Sequence, residues 1–219
     1  MPPPEAAELE DRLAALAERI PLPLSAVQSN VLIRYLALLQ RWNATYNLTA
    51  VREPAQMLTQ HLVDCLAVIS PLRRHCGDTP LRVLDVGSGG GLPGIVIGAL
   101  NPQMAVTCVD SVGKKTAFIQ QAAAELGLRN LQARHARVEQ LKAEPFQLIT
   151  SRAFASLSDF VLLTRSLLAP GGAWMAMKGK TPHAELADLP KEVAVFHVEQ
   201  LDVPDLAAER CLVWMRPSL

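Results

Sequence analysis

The sequence contains few cysteines and no excess of charge of either sign. Its four cysteines, Cys65, Cys76, Cys108 and Cys211, form no C-x-x-C pair, and no histidine stands at metal-ligand spacing. This pattern excludes a disulfide scaffold and a structural zinc site, so we expect reduced thiols and no bound metal. Twenty-one basic residues balance twenty-one acidic residues. The balance excludes non-specific binding to nucleic acid through net charge, although a local basic face is compatible with it.

Long apolar runs and targeting signals are also missing. No apolar run approaches the ~18 residues that a membrane span needs. Met1–Glu5 lacks the basic start and apolar stretch of a secretory signal. We therefore expect a cytoplasmic protein that does not cross a membrane. Apolar residues make up 50% of the 219 residues and charged residues 19%, which indicates one main packed core.

Apolar residues at helical spacing dominate the first third of the chain. A helix is predicted over Glu5–Ile20, and a second helix follows Ser25, a residue type that caps helices. Turn-forming residues in Asn43–Thr49 end the second helix, and a third helix begins near Glu53. We therefore predict a helical N-terminal extension over residues 1–75.

Over residues 76–219 the pattern changes to short apolar runs that alternate with amphipathic segments. This alternation predicts an α/β fold: a doubly wound, Rossmann-like, mostly parallel sheet with an antiparallel last strand. Helices are predicted to begin near Pro93, Gly113 and Ser156. The predicted strands span Arg82–Val86, Met104–Asp110, Asn130–Arg134, Phe146–Thr150 and Ala173–Met177, and a terminal hairpin spans Val193–Val203 and Cys211–Met215.

A glycine-rich stretch, Gly87–Gly91, follows the first predicted strand and leads into a helix near Pro93. Glycine allows a sharp turn and lets a ligand approach the backbone closely. Gly87, Gly89 and Gly91 therefore predict a ligand-binding crevice at the carboxyl end of a strand. A tight strand-to-helix turn without a ligand is the plainer interpretation.

Two classes of cofactor fit this crevice. Gly89, Gly91 and Gly94 satisfy the pattern G-x-G-x-x-G, and Asp110 follows about twenty residues later, as in a nicotinamide dinucleotide site. The Asp110 carboxylate would accept hydrogen bonds from ribose hydroxyls in either class, or it would cap the next helix. A nicotinamide-dependent oxidoreductase is therefore an open alternative.

Two residues favour S-adenosylmethionine over a dinucleotide. Asp85 stands at the end of the strand, where its carboxylate would attract the methionine ammonium group and repel a pyrophosphate. Pro93 removes a backbone donor that a pyrophosphate would use at the start of the helix. We therefore predict a methyltransferase that uses S-adenosylmethionine. Val138 and Glu139 stand where class I methyltransferases place the loop that contacts adenine.

Further segments are similar to one particular family. They are Arg41-Trp42-Asn43, Tyr46–Arg52, His61–Asp64, Leu84–Gly94, Asp110-Ser111, Gly113-Lys114-Lys115, Ser151–Ala155 and Lys178-Gly179. On the basis of these segments, the chain from about Leu38 to Arg216 resembles the bacterial 16S ribosomal RNA guanine-N7 methyltransferases. This family is also called ribosomal small subunit methyltransferase G or glucose-inhibited division protein B. The resemblance implies a class I fold with a seven-stranded sheet, and 16S ribosomal RNA or the small ribosomal subunit as partner.

The resemblance also assigns roles to single residues. It implies cofactor contacts at Gly87, Leu92, Asp110, Val138, Glu139 and Arg152. It implies contacts with RNA at Asn47, Arg52, His61 and Arg137. Plainer roles stay open, namely a turn former at Asn47, a half-buried helix residue at His61 and solvated charges at the arginines.

The end of the fourth predicted strand bears on the acceptor atom. Methyltransferases that act on exocyclic amines usually carry Asn/Asp-Pro-Pro-Tyr/Phe there, whereas this chain has Ser151-Arg152-Ala153-Phe154. Guanine N7 has a lone pair and no proton, so its methylation needs positioning and no strong general base. We expect Arg137 and Arg152 to act in catalysis through phosphate or base-edge contacts.

We predict that RNA lies across the carboxyl edge of the sheet, on a basic face. The candidate contacts are Arg34, Arg41, Arg52, Lys114, Lys115, Arg137, Arg152 and Lys178. We expect a monomer. Another RNA, a protein or a small molecule as acceptor stays open, as does a non-enzymatic scaffold with a vestigial loop.

Overall fold

The computed structural model describes residues 4–152 and 154–218, with side chains from residue 7. Ala153 of the predicted strand-end signature and residues 1–3 of the predicted extension lie outside this description. The α-helices are α1 (Pro4–Arg19), α2 (Ala26–Tyr46), α3 (Pro54–Met57), α4 (Asp64–Leu66), α5 (Ile69–Cys76), α6 (Gly94–Leu100), α7 (Gly113–Leu126), α8 (Leu157–Thr164) and α9 (His183–Ala187). The strands are β1 (Arg82–Val86), β2 (Ala105–Asp110), β3 (Leu131–His135), β4 (Phe146–Ser151), β5 (Leu168–Lys178), β6 (Val193–Leu201) and β7 (Arg210–Pro217). Short 3₁₀ helices span Val138–Gln140 and Arg165–Leu167.

The helical N-terminal region begins as the sequence predicts. Ser25 caps α2 by accepting a hydrogen bond from Gln28 N, and the Gln28 side chain accepts one from Ser25 N. Asn47 ends α2 in the left-handed conformation, with φ of 50°. The predicted third helix is divided, because a π-helix over Leu58–Val63 separates α3 from α4. A π-turn takes more residues than an α-turn, which changes the side chains that share a face.

One seven-stranded sheet, in the order β3-β2-β1-β4-β5-β7-β6, spans the described part of the chain. Strands β1 to β5 are parallel, and β7 is antiparallel to both of its neighbours. The predicted mostly parallel sheet with an antiparallel last strand is confirmed. Strand β5 is longer than predicted, because Pro170-Gly171-Gly172 lies within it beside a register shift. Helix α9 was not predicted.

The order of the strands determines where a ligand can bind. The chain leaves β1 toward β2 on one side, and the later strands β4 and β5 add on the other side. Ligands of doubly wound sheets bind at the carboxyl ends of the strands where the order reverses. The carboxyl ends of β1 and β4 are therefore the expected floor of a site.

The helical region and the sheet share one apolar core. Buried Leu32 and Leu36 of α2 belong to the same cluster as Val83 of β1 and Phe118 of α7. The predicted boundary between residues 75 and 76 stays a prediction. Among the described helices, none combines the length and the apolar character that crossing a bilayer requires.

Helix α6 comes very close to strands β1 and β2 at Gly94. A Cβ atom placed there would overlap Cys108 Sγ and would lie 2.8 Å from Asp85 Oδ2. Only a residue without a side chain permits this spacing, because neighbouring atoms at such distances must shift. Gly94 is therefore required for packing, although the sequence pattern includes it among ligand-binding glycines.

We predict that Gly94→Ala lowers the free energy of unfolding by about 2 to 3 kcal/mol, because the added methyl group overpacks a buried junction. Urea denaturation followed by circular dichroism measures the change. Gly179→Ala is the matched control, since its Cβ would meet Glu209 O at 3.9 Å, an ordinary contact. Equal stabilities of the two variants would contradict the packing role.

Candidate active site

The backbone of the glycine loop adopts conformations that favour glycine. Gly87, Gly89 and Gly91 have φ values of 67°, 57° and 85°. A Cβ atom at Gly87 would meet nothing within 4 Å, whereas one at Gly91 would lie 2.5 Å from Ile95 Cδ1. Gly87 therefore borders open space, and Gly91 is required for packing against the next helix.

Asp110, at the end of β2, holds the glycine loop in place. Its Oδ2 accepts a hydrogen bond from Gly89 N at 2.9 Å, and its Oδ1 accepts one from Val112 N at 2.9 Å. The Lys115 ammonium lies 3.8 Å from Oδ2. A carboxylate has about four acceptor sites, so Asp110 keeps lone pairs for a ligand.

A cavity of about 640 Å³ opens above this loop. Its lining includes Val86, Gly87, Val109, Asp110, Ser111, Val112, Lys115, Ala136, Arg137, Val138, Glu139, Phe154, Ala155, Asp159 and Leu163. Valine side chains supply apolar walls suited to a flat base, and the Asp110 carboxylate supplies acceptors suited to ribose hydroxyls. The residues present therefore fit the nucleoside part of S-adenosylmethionine.

The Asp85 carboxylate lies beneath the loop and does not reach this cavity. Its side chain is fully buried, and Oδ2 accepts a hydrogen bond from Gly94 N at 2.9 Å. Burial raises the pKa of this carboxyl to about 6, against the lowering effect of the bond from Gly94. Asp85 is not part of the cavity lining, and its buried Oδ1 has no hydrogen-bond partner among the described residues, so the predicted direct attraction of the methionine ammonium group finds no support in this geometry.

The position of Asp85 still distinguishes the two classes of cofactor. A pyrophosphate binds the free amides at a helix N-terminus, but the amide of Gly94 at the start of α6 already donates to a carboxylate. A bound phosphate would also lie close to a buried negative charge. This arrangement disfavours a dinucleotide and suits a cofactor without phosphate.

Helix α2 supports the glycine loop from the other side. The buried Tyr35 hydroxyl donates a hydrogen bond to Gly90 O at 2.7 Å. Nearby, a Cβ atom at Gly90 would lie 3.2 Å from Leu39 Cδ1. The helical region therefore contacts the backbone of the site directly.

A second cavity, of about 380 Å³, lies at the same edge of the sheet. It is lined by Gln60, His61, Asp64, Arg152, Met177, Lys178, Gly179 and Arg210. Asp64 Oδ1 accepts a hydrogen bond from Arg210 Nε at 2.7 Å, and Asp64 Oδ2 accepts one from Arg152 Nη1 at 3.4 Å. Two guanidinium groups are thereby held on one buried carboxylate.

His61 connects this cavity to the segment that follows α2. Its Nε2 lies 2.8 Å from Thr49 Oγ1, while its buried Nδ1 has no hydrogen-bond partner among the described residues. Burial, and then the charge of Arg152, lower the pKa of His61. The imidazole is therefore neutral at pH 7.

Comparison with known proteins identifies the family. Residues 28–213 match the family described as rRNA small subunit methyltransferase G. The Leptothrix cholodnii protein named "Ribosomal RNA small subunit methyltransferase G" is 63% identical over 207 residues, 94% of this chain and 95% of its own. The Methylibium petroleiphilum protein of the same name is 58% identical over 213 residues, 97% of this chain and 96% of its own.

The chain belongs to the rRNA small subunit methyltransferase G family. The prediction of a methyltransferase of this family is confirmed, and the oxidoreductase is not favoured. The fold is similar to that of the Burkholderia thailandensis 1,6-didemethyltoxoflavin-N1-methyltransferase solved with bound S-adenosylhomocysteine, with a TM-score of 0.57, 19% identity and coverage of 91% of this chain and 94% of that one. The predicted class I fold and the cofactor S-adenosylmethionine are confirmed.

Several predicted cofactor residues of this methyltransferase line the larger cavity, and others do not. Gly87, Asp110, Val138 and Glu139 line it. Arg137 lies beside them with an exposed side chain, 4.0 Å from Glu139. Leu92 packs in the core, and its N–H donates to Ser88 O at 3.0 Å. Arg152 lines the second cavity, so Arg137 and Arg152 are not brought together.

Some residues of the predicted basic face have hydrogen-bond or ion-pair partners within the protein. Arg34 donates to Glu125 O at 2.6 Å, and Arg41 contacts the Glu125 side chain, near the end of α7 away from the carboxyl edge. Lys178 is partly buried and donates to Glu185 at 2.7 Å and to Phe154 O at 3.2 Å. These three basic residues have partners within the protein, and their assignment to RNA contacts stays a prediction.

Other predicted contacts stay near the carboxyl edge. Asn47 Oδ1 accepts a hydrogen bond from Arg52 Nη2 at 3.1 Å, and both residues are exposed. Lys114 Nζ donates to Tyr46 O at 2.8 Å, which joins α7 to the end of α2. Lys115 contacts Asp110 at the floor of the larger cavity.

Sequence reasoning missed two charged residues of the second cavity, Asp64 and Arg210. Asp64 stands within a segment quoted for family resemblance, but the segment suggested no role for it. Arg210 opens β7, and the first residue of an antiparallel strand lies at the edge where parallel strands end. The predicted antiparallel last strand was the signal that would have located Arg210.

We predict that Tyr35→Phe weakens binding of S-adenosylhomocysteine roughly five- to tenfold, because the carbonyl of Gly90 loses its buried hydrogen bond. Isothermal titration calorimetry measures the affinity. Tyr46→Phe serves as control, because it removes the hydroxyl group of an exposed tyrosine at the end of the same helix. Unchanged affinity in Tyr35→Phe would refute the supporting role of this hydroxyl.

We predict that Asp85→Asn changes how stability depends on pH. A folded-state pKa above the ordinary value destabilises the ionised form, so the wild type loses stability as pH rises through about 6. The variant lacks this loss, and its stability relative to the wild type should rise by about 1 to 1.5 kcal/mol between pH 5 and pH 8. Urea denaturation at each pH tests this. If the free energy of unfolding depended on pH in the same way in the wild type and in Asp85→Asn, the result would contradict a buried Asp85 carboxyl that ionises near pH 6.

Proposed function

We propose that this protein transfers the methyl group of S-adenosylmethionine to N7 of a guanine in 16S ribosomal RNA, acting as a monomer on the small ribosomal subunit or its RNA. Family membership supports an acceptor in small-subunit ribosomal RNA. The observation that carries the proposal is the second cavity, which presents two arginines on a buried carboxylate at the same edge of the sheet as the larger cavity.

Residues of the larger cavity would hold the cofactor. Asp110 would accept hydrogen bonds from the ribose hydroxyls while it fixes Gly89, and Val138 and Glu139 would contact the adenine. Gly87 borders the open space that the methionine part requires. In this proposal Asp85, Gly91 and Leu92 shape the loop from below and do not touch the ligand.

The cofactor supplies an electrophilic methyl group on a sulfonium sulfur. Guanine N7 carries no proton, so the protein does not have to remove one, and its contribution is in-line positioning of the base. Arg152 and Arg210 would hold the nucleotide through the base edge or its phosphate. Because the methylated ring gains positive charge, arginines at O6 or phosphate suit this reaction better than arginines stacked on the ring.

The remaining RNA contacts would lie on both sides of the two cavities. Asn47 and Arg52 are exposed and bonded to each other, and they lie near His61 through Thr49. Arg137 has 72% of its side chain exposed, which suits a phosphate contact. A chain of zero net charge binds RNA through such local contacts and through shape.

The test measures methyl transfer to three substrates assayed separately: purified 30S subunits, deproteinised 16S RNA and free guanosine triphosphate. The subunits and the RNA come from cells whose 16S RNA lacks the modification. We expect one methyl group per 16S RNA, recovered as 7-methylguanosine after nuclease digestion and mass spectrometry, and no product from the free nucleotide. Transfer confined to free nucleotides, or to another atom of the RNA, would overturn the proposal.

A pair of arginine variants sharpens this assay. We expect Arg152→Gln to lower the rate of methyl transfer on the order of 10²-fold, because a positioning contact is lost. Arg165→Gln changes an exposed arginine outside both cavities and should leave the rate unchanged. Equal rates in the two variants would remove Arg152 from the proposed site.

A further inference from the structure

Asp64 brings together three parts of the chain that are distant in sequence. It follows the π-helix, while Arg152 follows β4 and Arg210 begins β7. The Asp64 side chain is 3% exposed, and each of its oxygens bonds a different arginine. The carboxylate therefore fixes the separation of the two guanidinium groups at the cavity.

The charges at this cavity explain why a carboxylate is needed. Two guanidinium groups held close together in a partly buried site repel each other, and an acid between them offsets the repulsion. The group of three keeps a net positive charge, which favours an electron-rich ligand such as a guanine edge or a phosphate. A neutral side chain at position 64 would leave the repulsion in place.

Both arginines keep donors for a ligand. Bonds to protein acceptors engage Nη1 of Arg152 and Nε and Nη1 of Arg210. Within residues 4–152 and 154–218, no protein acceptor bonds Nη2 of either arginine. His61, whose side chain is largely buried, is a further residue of the same lining. The two Nη2 groups are suited to bind one planar polar ligand.

We propose that Asp64 is a positioning residue for methyl transfer, because it holds Arg152 and Arg210 in the geometry that orients the acceptor guanine. The inference rests on the proposed function, since it assigns the acceptor nucleotide to this cavity. Asp64 acts through the two arginines and does not touch the reacting atoms. Its loss should therefore reduce the rate at saturating substrate more than the affinity for either substrate.

The first test is Asp64→Asn, which keeps the shape and removes the charge. We expect kcat to fall roughly 10- to 100-fold, with the KM for RNA and the affinity for S-adenosylhomocysteine within about threefold of the wild type. Asp205→Asn is the matched control. Asp205 also forms ion pairs with two arginines, Arg12 at 3.8 Å and Arg19 at 2.6 Å, but it lies on the surface outside both cavities.

Two further variants separate positioning from folding. Asp64→Glu restores the negative charge and should recover at least part of the lost kcat. In a double-mutant cycle, Asp64→Asn combined with Arg210→Gln should be about as slow as the slower single variant, because both changes break the same contact. If the double variant lost kcat by the product of the two single-variant factors, the two residues would act independently, and the proposal would be overturned.

Other outcomes are equally decisive. Wild-type kcat in Asp64→Asn would overturn the positioning role, and so would loss of S-adenosylhomocysteine binding in proportion to activity, since that pattern marks a structural residue. Failure of the wild-type protein to methylate guanine N7 in 16S RNA would refute the proposed function itself. The two failures are therefore distinguishable in one set of assays.

Discussion

The buried carboxylate of Asp85 is the constraint on which the cofactor site depends. It bonds the first amide of α6 and lies beneath the glycine loop, where burial raises its pKa to about 6. Gly94 must lack a side chain because α6 comes so close to Asp85 and Cys108. Because the amide of Gly94 already donates to a carboxylate, that amide is not available to a phosphate. One interaction thus shapes the loop and restricts the class of cofactor.

The helical N-terminal region belongs to the site as well as to the core. Tyr35 of α2 bonds the carbonyl of Gly90 under the cofactor cavity. The segment after α2 reaches the second cavity through the contact between Thr49 and His61. The same helix therefore supports the cofactor loop near its middle and the proposed acceptor site just beyond its end. Rigid packing of α2 against α6 and α7 makes this double support possible.

Much of the fold was predictable because its signals are local. Strand β1, the start of α7 and the left-handed end of that helix at Gly127 follow from apolar runs and glycine. The π-helix over Leu58–Val63 and the inclusion of Pro170-Gly171-Gly172 in β5 were not predicted. The π-helix is mostly buried among distant residues, and β5 extends across its exposed Pro170-Gly171 because it pairs with β4 on both sides of that segment. Contacts of this kind override the local preference of the chain.

The sequence by itself determined the class of cofactor, the order of strands and helices, and the family. These depend on short motifs such as the glycine loop and Asp110, whose chemistry is local. Only the tertiary structure decided which charges are available. It buried Asp85, paired Lys178 with Glu185, and joined Arg152 to Arg210 through Asp64. The physical reason is that the partners of a buried charge come from strands and helices far apart in sequence, and no spacing rule reports them.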